Sequence, residues 1–172
     1  GHAAHAYYSK RYAHKRWERS VLENLFPDKI DNDFRGHKFT LWFFYLFTAV
    51  TLWRSQHHMF ASDGGAQSIA QIPLDTYSQG ASNTIVSIFA LWGLSQIIIG
   101  FLYVLACIRY KSMIPIFYLL AALEYFTRFY QMGFFKALTA TPLIPGVVIN
   151  LPFTLIMLVM LFFSIKRPKI AN

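Results

Sequence analysis

Four long apolar blocks divide the chain and restrict the folds that it can adopt. They cover residues 39–53, 84–108, 114–134 and 147–165. About 20 helical residues, each rising 1.5 Å, cross a hydrocarbon core of about 30 Å. Each block is therefore expected to form a transmembrane helix. The first block is short, and an extra turn at residues 57–60 would complete its span.

The composition is that of a chain that contacts lipid as well as its own core. Of the 172 residues, 55% are hydrophobic, 18% are aromatic and 14% are charged. An ordinary soluble domain is about 45–50% apolar and about a quarter charged, so the composition argues against that class. It also excludes a disordered chain, and Cys107, the single cysteine, excludes an internal disulfide. We therefore predict an all-α fold, an integral membrane four-helix bundle.

The positions of Lys and Arg predict the orientation of the helices, because basic loops stay on the cytoplasmic side. Basic residues collect in the amino-terminal tail, in the turn between the second and third blocks, and in the carboxyl tail. The last two groups are Arg109, Lys111, Lys166, Arg167 and Lys169. Four spans place all three groups on one side, with both termini in the cytoplasm. The predicted organisation is a basic tail at 1–36, the membrane domain at 37–166 and a basic tail at 167–172.

The amino-terminal tail carries a pattern typical of an amphipathic helix at the membrane interface. Apolar side chains recur at helical spacing beside a basic face, and Pro27 would end the helix. The apolar positions are Trp17, Val21, Leu22 and Leu25, and the basic positions are Lys10, Arg11, Lys15, Arg16 and Arg19. A solvated tail with a few aromatic residues is the alternative. The expected location is a bacterial inner membrane. An organelle inner membrane is the alternative location, because a basic tail whose first acidic residue is Glu18 also fits a trimmed organelle-targeted precursor.

Glu124 and Arg128 give the strongest signal for a functional site. They lie four residues apart in the third block, and Glu124 is about 15 Å from the start of that block. Ionisable groups at this depth are costly, and they usually face the bundle interior and pair with one another. We expect an intramembrane polar site that also contains Gln96, Gln131 and Asn150. It is either a proton or ligand site or an internal ion pair that fixes helix packing.

A second group of polar residues is expected at the outer interface, and it comprises Arg54, His57, His58, Asp63 and Asp75. Adjacent His57 and His58 diverge by about 100° on a helix, which makes them a poor metal chelate. The second, third and fourth blocks contain no His, so a haem between facing helices is not expected. We predict no metal and no cofactor. The positive-inside rule accounts for the net charge of +8 without a nucleic-acid partner.

Several short runs resemble a group of small uncharacterised bacterial multi-pass membrane proteins. The runs are FRGHK at 34–38, LW at 41–42, DGGAQSI at 63–69, IPLD at 72–75, ALWGL at 90–94 and RYKSMIP at 109–115. The likeness covers about residues 34–130. The four-helix plan with Glu124 and Arg128 on the third helix also resembles the broad DoxX-type class of small membrane proteins. Neither resemblance implies an established activity.

These observations favour a non-catalytic integral membrane protein that is an accessory or assembly subunit of a larger membrane complex. The expected partners are the lipid bilayer and a second membrane protein or a further copy of the chain. One alternative is a small transporter or a lipid- or quinone-binding bundle with its site around Glu124 and Arg128. Another is a membrane enzyme acting on a quinone or lipid, for which only His37, His57, His58 and the loop Asp residues are suitably placed.

Overall fold

The computed structural model describes residues 21–135 and 145–166, and these residues lie in helices, turns and loops without a strand. Their four long helices are α1 (Lys38–Phe60), α2 (Gln79–Ile108), α3 (Ile114–Tyr130) and α4 (Pro145–Ile165). The all-α prediction is confirmed for this part of the chain. Residues 21–25 are helical and end before Pro27, as expected. Trp17, the basic face beside it and the carboxyl tail lie outside the described residues.

Helices α1 and α2 extend beyond their apolar blocks. Helix α1 continues past Trp53 to Phe60, which includes the extra turn. Helix α2 begins at Gln79, because the hydroxyl of Ser78 accepts a 3.4 Å hydrogen bond from the backbone N–H of Ala81 and caps the first turn. These extensions bring polar residues at the block edges into helical segments.

Helix α3 is shorter than its apolar block. It contains 17 residues, with Pro115 in the first turn. Proline is tolerated there because an N–H group in the first turn has no acceptor within the helix. One π-helical turn, Gln131–Phe135, then continues the helix. Together the two segments reach about 33 Å, enough to cross a hydrocarbon core.

Two of the helices are long and apolar enough to cross a membrane. The segments are Gln79–Ile108 in α2 and Val148–Ile165 in α4. Only 17% and 22% of their most apolar windows are buried within the protein, so most of their side chains face outward. This is the opposite of a core helix in a soluble protein, and it supports a membrane location.

The bundle consists of two antiparallel hairpins, α1 with α2 and α3 with α4, which pack more closely within each hairpin than between them. The first hairpin depends on two glycines. A Cβ added to Gly93 would lie 2.7 Å from the backbone nitrogen of Met59, and one added to Gly100 would lie 2.5 Å from Cδ2 of Leu52. Small residues at these positions therefore allow α1 and α2 to approach closely.

A layer of aromatic side chains fills the space between the hairpins. Its members are buried and come from α1, α2 and α3: Phe44, Phe47, Tyr103, Phe117, Tyr118 and Tyr125. Phe44 lies edge-to-face against Tyr103 and Tyr118, with ring centroids 5.4 Å apart in both pairs. The Tyr118 hydroxyl donates a 2.6 Å hydrogen bond to the Thr40 carbonyl, so its polar atom has a partner. These rings pack against one another and so join the two hairpins.

At one end of the bundle, the segment before α1 binds α4 and the turn that connects the two hairpins. Asn24 donates a 2.7 Å hydrogen bond to the carbonyl of Ile165 on α4. Ser112, in the turn between α2 and α3, exchanges hydrogen bonds of 3.0 Å with the backbone of Asp31. We call this end the basic end, because it carries Lys29, Arg35, Lys38, Arg109, Lys111 and Lys166. The described members of the three basic groups therefore lie at one end of the fold.

At the opposite end, the loop after α1 folds back over the α1–α2 hairpin. Its Gly64 and Gly65 adopt positive φ angles of 60° and 74°, which side chains disfavour. Gly64 lies against Phe89 of α2, and Ala66 is fully buried. The loop is thus packed against the helices. We call this end of the bundle, opposite the basic end, the outer end.

Candidate functional site

Six side chains from three helices meet on the inner face of the bundle. Each helix contributes a pair spaced four residues apart, so each pair lies on one helical face. We call this group the polar cluster, and its members are Arg54 and His58 of α1, Trp92 and Gln96 of α2, and Glu124 and Arg128 of α3. It joins residues predicted for the intramembrane site with residues predicted for the outer interface.

Glu124 is the acceptor at the centre of the polar cluster. Its Oε1 atom accepts a 2.9 Å hydrogen bond from Nε2 of Gln96 and also binds the guanidinium of Arg128. The side chains of Arg128 and Glu124 are 17% and 28% exposed, so the pair is not sealed inside the protein. One carboxylate oxygen therefore links α2 to α3.

Arg54 enters the cluster from α1. Its Nη2 atom donates to Oε1 of Gln96 over 3.4 Å, so the Gln96 amide bridges Arg54 and Glu124. Among the described residues, no carboxylate lies within salt-bridge distance of Arg54. The side chain is half-buried and turned toward the bundle interior.

Trp92 is the aromatic surface on which the two cations lie. The guanidinium carbons of Arg128 and Arg54 are 4.9 Å and 5.6 Å from its ring centroid, within the range of cation–π attraction. The ring of His58 packs on the same indole, with centroids 4.6 Å apart. Trp92 therefore contacts charged or polar side chains from both other helices.

His58 connects the polar cluster to the outer loop. Its Nδ1 atom donates a 2.8 Å hydrogen bond to the Gly64 carbonyl, and the ring is buried. Asp63 shapes the same loop by accepting hydrogen bonds from the backbone amides of Ser68, Gly65 and Gln67. Burial opposes the charge of Asp63, but these bonds outweigh it and lower its pKa to about 2.

The other predicted site residues lie apart from the polar cluster. Gln131 is exposed at the start of the π-helical turn. Asn150 is buried, but its amide donates to the sulfur of Met132 over 3.7 Å. At the outer interface, His57 is half-buried beside His58, and exposed Asp75 accepts a 3.3 Å hydrogen bond from Gln67. Whether these residues take part in function stays a prediction.

Sequence reasoning did not identify Trp92 as part of the site. A usable signal exists, because Trp92 and Gln96 are four residues apart and share a helical face. Arg54 and His58 show the same spacing once α1 is extended to Phe60. In the part of the chain that the structure describes, no group of three or more His, Cys, Asp or Glu residues is arranged to hold a metal ion.

Comparisons with known proteins returned no matching family model, no similar curated protein and no similar solved structure.

Proposed function

We propose that the chain is a four-helix integral membrane protein whose basic end faces the cytoplasm of a bacterial inner membrane. Helices α2 and α4 support this, as they are long and apolar enough to span. Helix α1 has 23 residues and reaches about 34 Å, and α3 reaches a similar length with its π-helical turn. The collection of Lys and Arg at one end agrees with the positive-inside rule.

Its proposed role is that of a non-catalytic accessory or assembly subunit of a larger membrane complex. The observation that carries this role is a shallow open groove between the outer half of α1 and the middle of α2. The groove is lined by Leu52, Trp53, Gln56, Met59, Phe60, Leu94, Ile97 and Phe101. A membrane helix of a partner protein fits such a surface, because it offers apolar contacts and one polar side chain, Gln56.

The polar cluster supports the same role. Glu124 receives donors from two helices, which is the arrangement expected of a pair that fixes helix packing. Truncating such a pair would loosen the bundle without removing a reaction. In this role the polar cluster fixes helix packing inside the protein, and the groove binds the partner on its surface.

Co-purification tests this role. The tagged chain is extracted at native expression level in a mild detergent, and native mass spectrometry reads the mass of each complex. We expect a second protein in fixed ratio. Leu94→Trp fills the groove and should lower partner recovery, whereas Leu102→Trp, at an exposed position of α2 outside the groove, should not. Recovery of the chain by itself, as a monomer or a homo-oligomer, would contradict the role.

A second candidate function is a small transporter or a lipid- or quinone-binding bundle. The partial exposure of Glu124 and Arg128 favours it, because open ionic groups at membrane depth need water or a polar ligand beside them. In the same mass spectra, this function predicts a reproducible extra mass on the chain. Glu124→Gln should change the retention of that mass or abolish transport while the thermal unfolding midpoint stays near that of the parent chain.

A further inference from the structure

The charges of the polar cluster do not balance. It holds two guanidiniums, on Arg54 and Arg128, and one carboxylate, on Glu124. Arg128 takes up that carboxylate, and Gln96 adds a neutral donor to it. Arg54 is left with a long hydrogen bond to a neutral amide oxygen. The cluster therefore has an excess of one positive charge within the described residues.

This excess lies within a helix that we place in the membrane. Arg54 is six residues before the end of α1, which corresponds to about 9 Å along the helix axis. A charge at such a position is costly unless an opposite charge or water stabilises it. Arg54 could extend along the helix toward the headgroups, yet its guanidinium lies on Trp92 and beside Gln96 instead. An anion beside Arg54 would stabilise this arrangement.

The shape of the two cations narrows the class of anion. A guanidinium presents a planar fork of N–H donors that matches the oxygens of a phosphate. Contact with one indole ring restricts both forks before any ligand arrives, which reduces the entropy lost on binding. We infer that Arg54 and Arg128, held by Trp92, form a binding site for a phosphate group, supplied by an anionic membrane lipid or by free phosphate.

This inference deepens the second candidate function, on which it rests, by naming the ligand class. The outer loop defines one boundary of the site, since His58 contacts both Trp92 and the Gly64 carbonyl. Glu124 lowers the net charge to a single positive unit, so the site favours a singly charged phosphodiester. A zwitterionic phospholipid carries its own cation and should bind less well.

Lipid retention tests the site. The purified chain is stripped of lipid in detergent, titrated with phosphatidylglycerol or phosphatidylcholine, and examined by native mass spectrometry. We expect one phosphatidylglycerol per chain to be retained in preference to phosphatidylcholine. Arg54→Gln should weaken its retention about tenfold, the effect of losing a hydrogen bond to a charged group. The matched control is Arg109→Gln, which removes an exposed cation at the basic end and should change little.

A competition with inorganic phosphate and a second variant complete the test. Inorganic phosphate at the same concentrations distinguishes the two sources: displacement of the lipid supports phosphate chemistry with a soluble ligand. Glu124→Gln raises the excess positive charge and should strengthen phosphatidylglycerol retention. This variant tests the site if Arg54→Gln fails to fold. Equal loss with Arg54→Gln and Arg109→Gln, or unchanged retention in Glu124→Gln, would overturn the site. Partner recovery is a separate readout, so failure of the accessory role leaves this test unaffected.

Discussion

The amide of Gln96 donates a 2.9 Å hydrogen bond to the Oε1 atom of Glu124, the same oxygen that binds Arg128. Gln96 is buried in the α1–α2 hairpin, whereas Glu124 belongs to α3. The bond therefore crosses the boundary between the two hairpins. Its strength should depend on the charge of Glu124, because hydrogen bonds to ionised acceptors are stronger than neutral ones.

Removing one partner of the Glu124–Arg128 pair should destabilise the bundle more than removing both. Arg128→Ala leaves the carboxylate without its cation, and we expect the free energy of unfolding in detergent to fall by about 3 kcal/mol. Replacing both residues by Met should cost less, because no unpaired charge remains. The measurement is unfolding by denaturing detergent, followed by circular dichroism. A double variant as unstable as Arg128→Ala would contradict the pairing.

The two glycines between α1 and α2 should respond differently to a methyl group. In Gly93→Ala the new Cβ meets the backbone of Met59, so the helices must separate, and we expect a loss of about 1–3 kcal/mol. In Gly100→Ala it meets the end of the Leu52 side chain, which can rotate away, so the loss should be smaller. Thermal unfolding midpoints rank the variants. Gly80→Ala, with nothing near its Cβ, is the control and should keep or raise the midpoint.

Acid should loosen the outer loop through Asp63. Its pKa of about 2 in the fold lies below the ordinary value of 3.8, since the bonds from backbone amides outweigh burial. A group with a lowered pKa stabilises the fold fully above its unfolded value, and this contribution is lost as the pH falls from about 4 to about 2. Amide exchange, corrected for intrinsic rates, should show reduced protection of the loop amides over that range.

Variants at two aspartates give the control for this effect. Asp63→Asn should reduce protection of the amides of Gly65 and Ser68 at neutral pH, because the charged acceptor is gone. Asp75→Asn should leave them unchanged, since the hydrogen bond that Asp75 accepts among the described residues comes from the side chain of Gln67. Similar loss in both variants would show that the loop depends on total charge.

The contact between Ser112 and Asp31 should protect the segment before α1 from proteolysis. Ser112→Ala removes one accepted and one donated hydrogen bond, which together contribute about 1–2 kcal/mol. Limited proteolysis of the detergent-solubilised chain should then cut residues 26–37 faster. Ser95→Ala, at an exposed position of α2 where the hydroxyl bonds only within its own helix, should not change the rate. An unchanged rate in Ser112→Ala would argue against the contact.

The sequence predicts contacts along one helix better than contacts between helices. The four-residue spacing of Glu124 and Arg128 predicts their pairing directly, and the depth of Gln96 predicts that it reaches Glu124. The sequence places Arg54 at the interface because its apolar block ends at Trp53, whereas hydrogen bonding carries α1 seven residues further. Only its polarity groups Asn150 with Glu124 in the sequence. The antiparallel arrangement of α3 and α4 instead sets it level with Met132, a register that depends on the pairing of the helices.

The hydrogen bond between Asn24 and Ile165 joins residues 141 positions apart, and it also sets an order of biosynthesis. Because a ribosome makes Asn24 long before Ile165, the segment before α1 has no α4 carbonyl to bind while the first hairpin folds. The basic end can close only after α4 has been made and has packed against α3. Until then, the early part of the chain remains an incomplete folding intermediate.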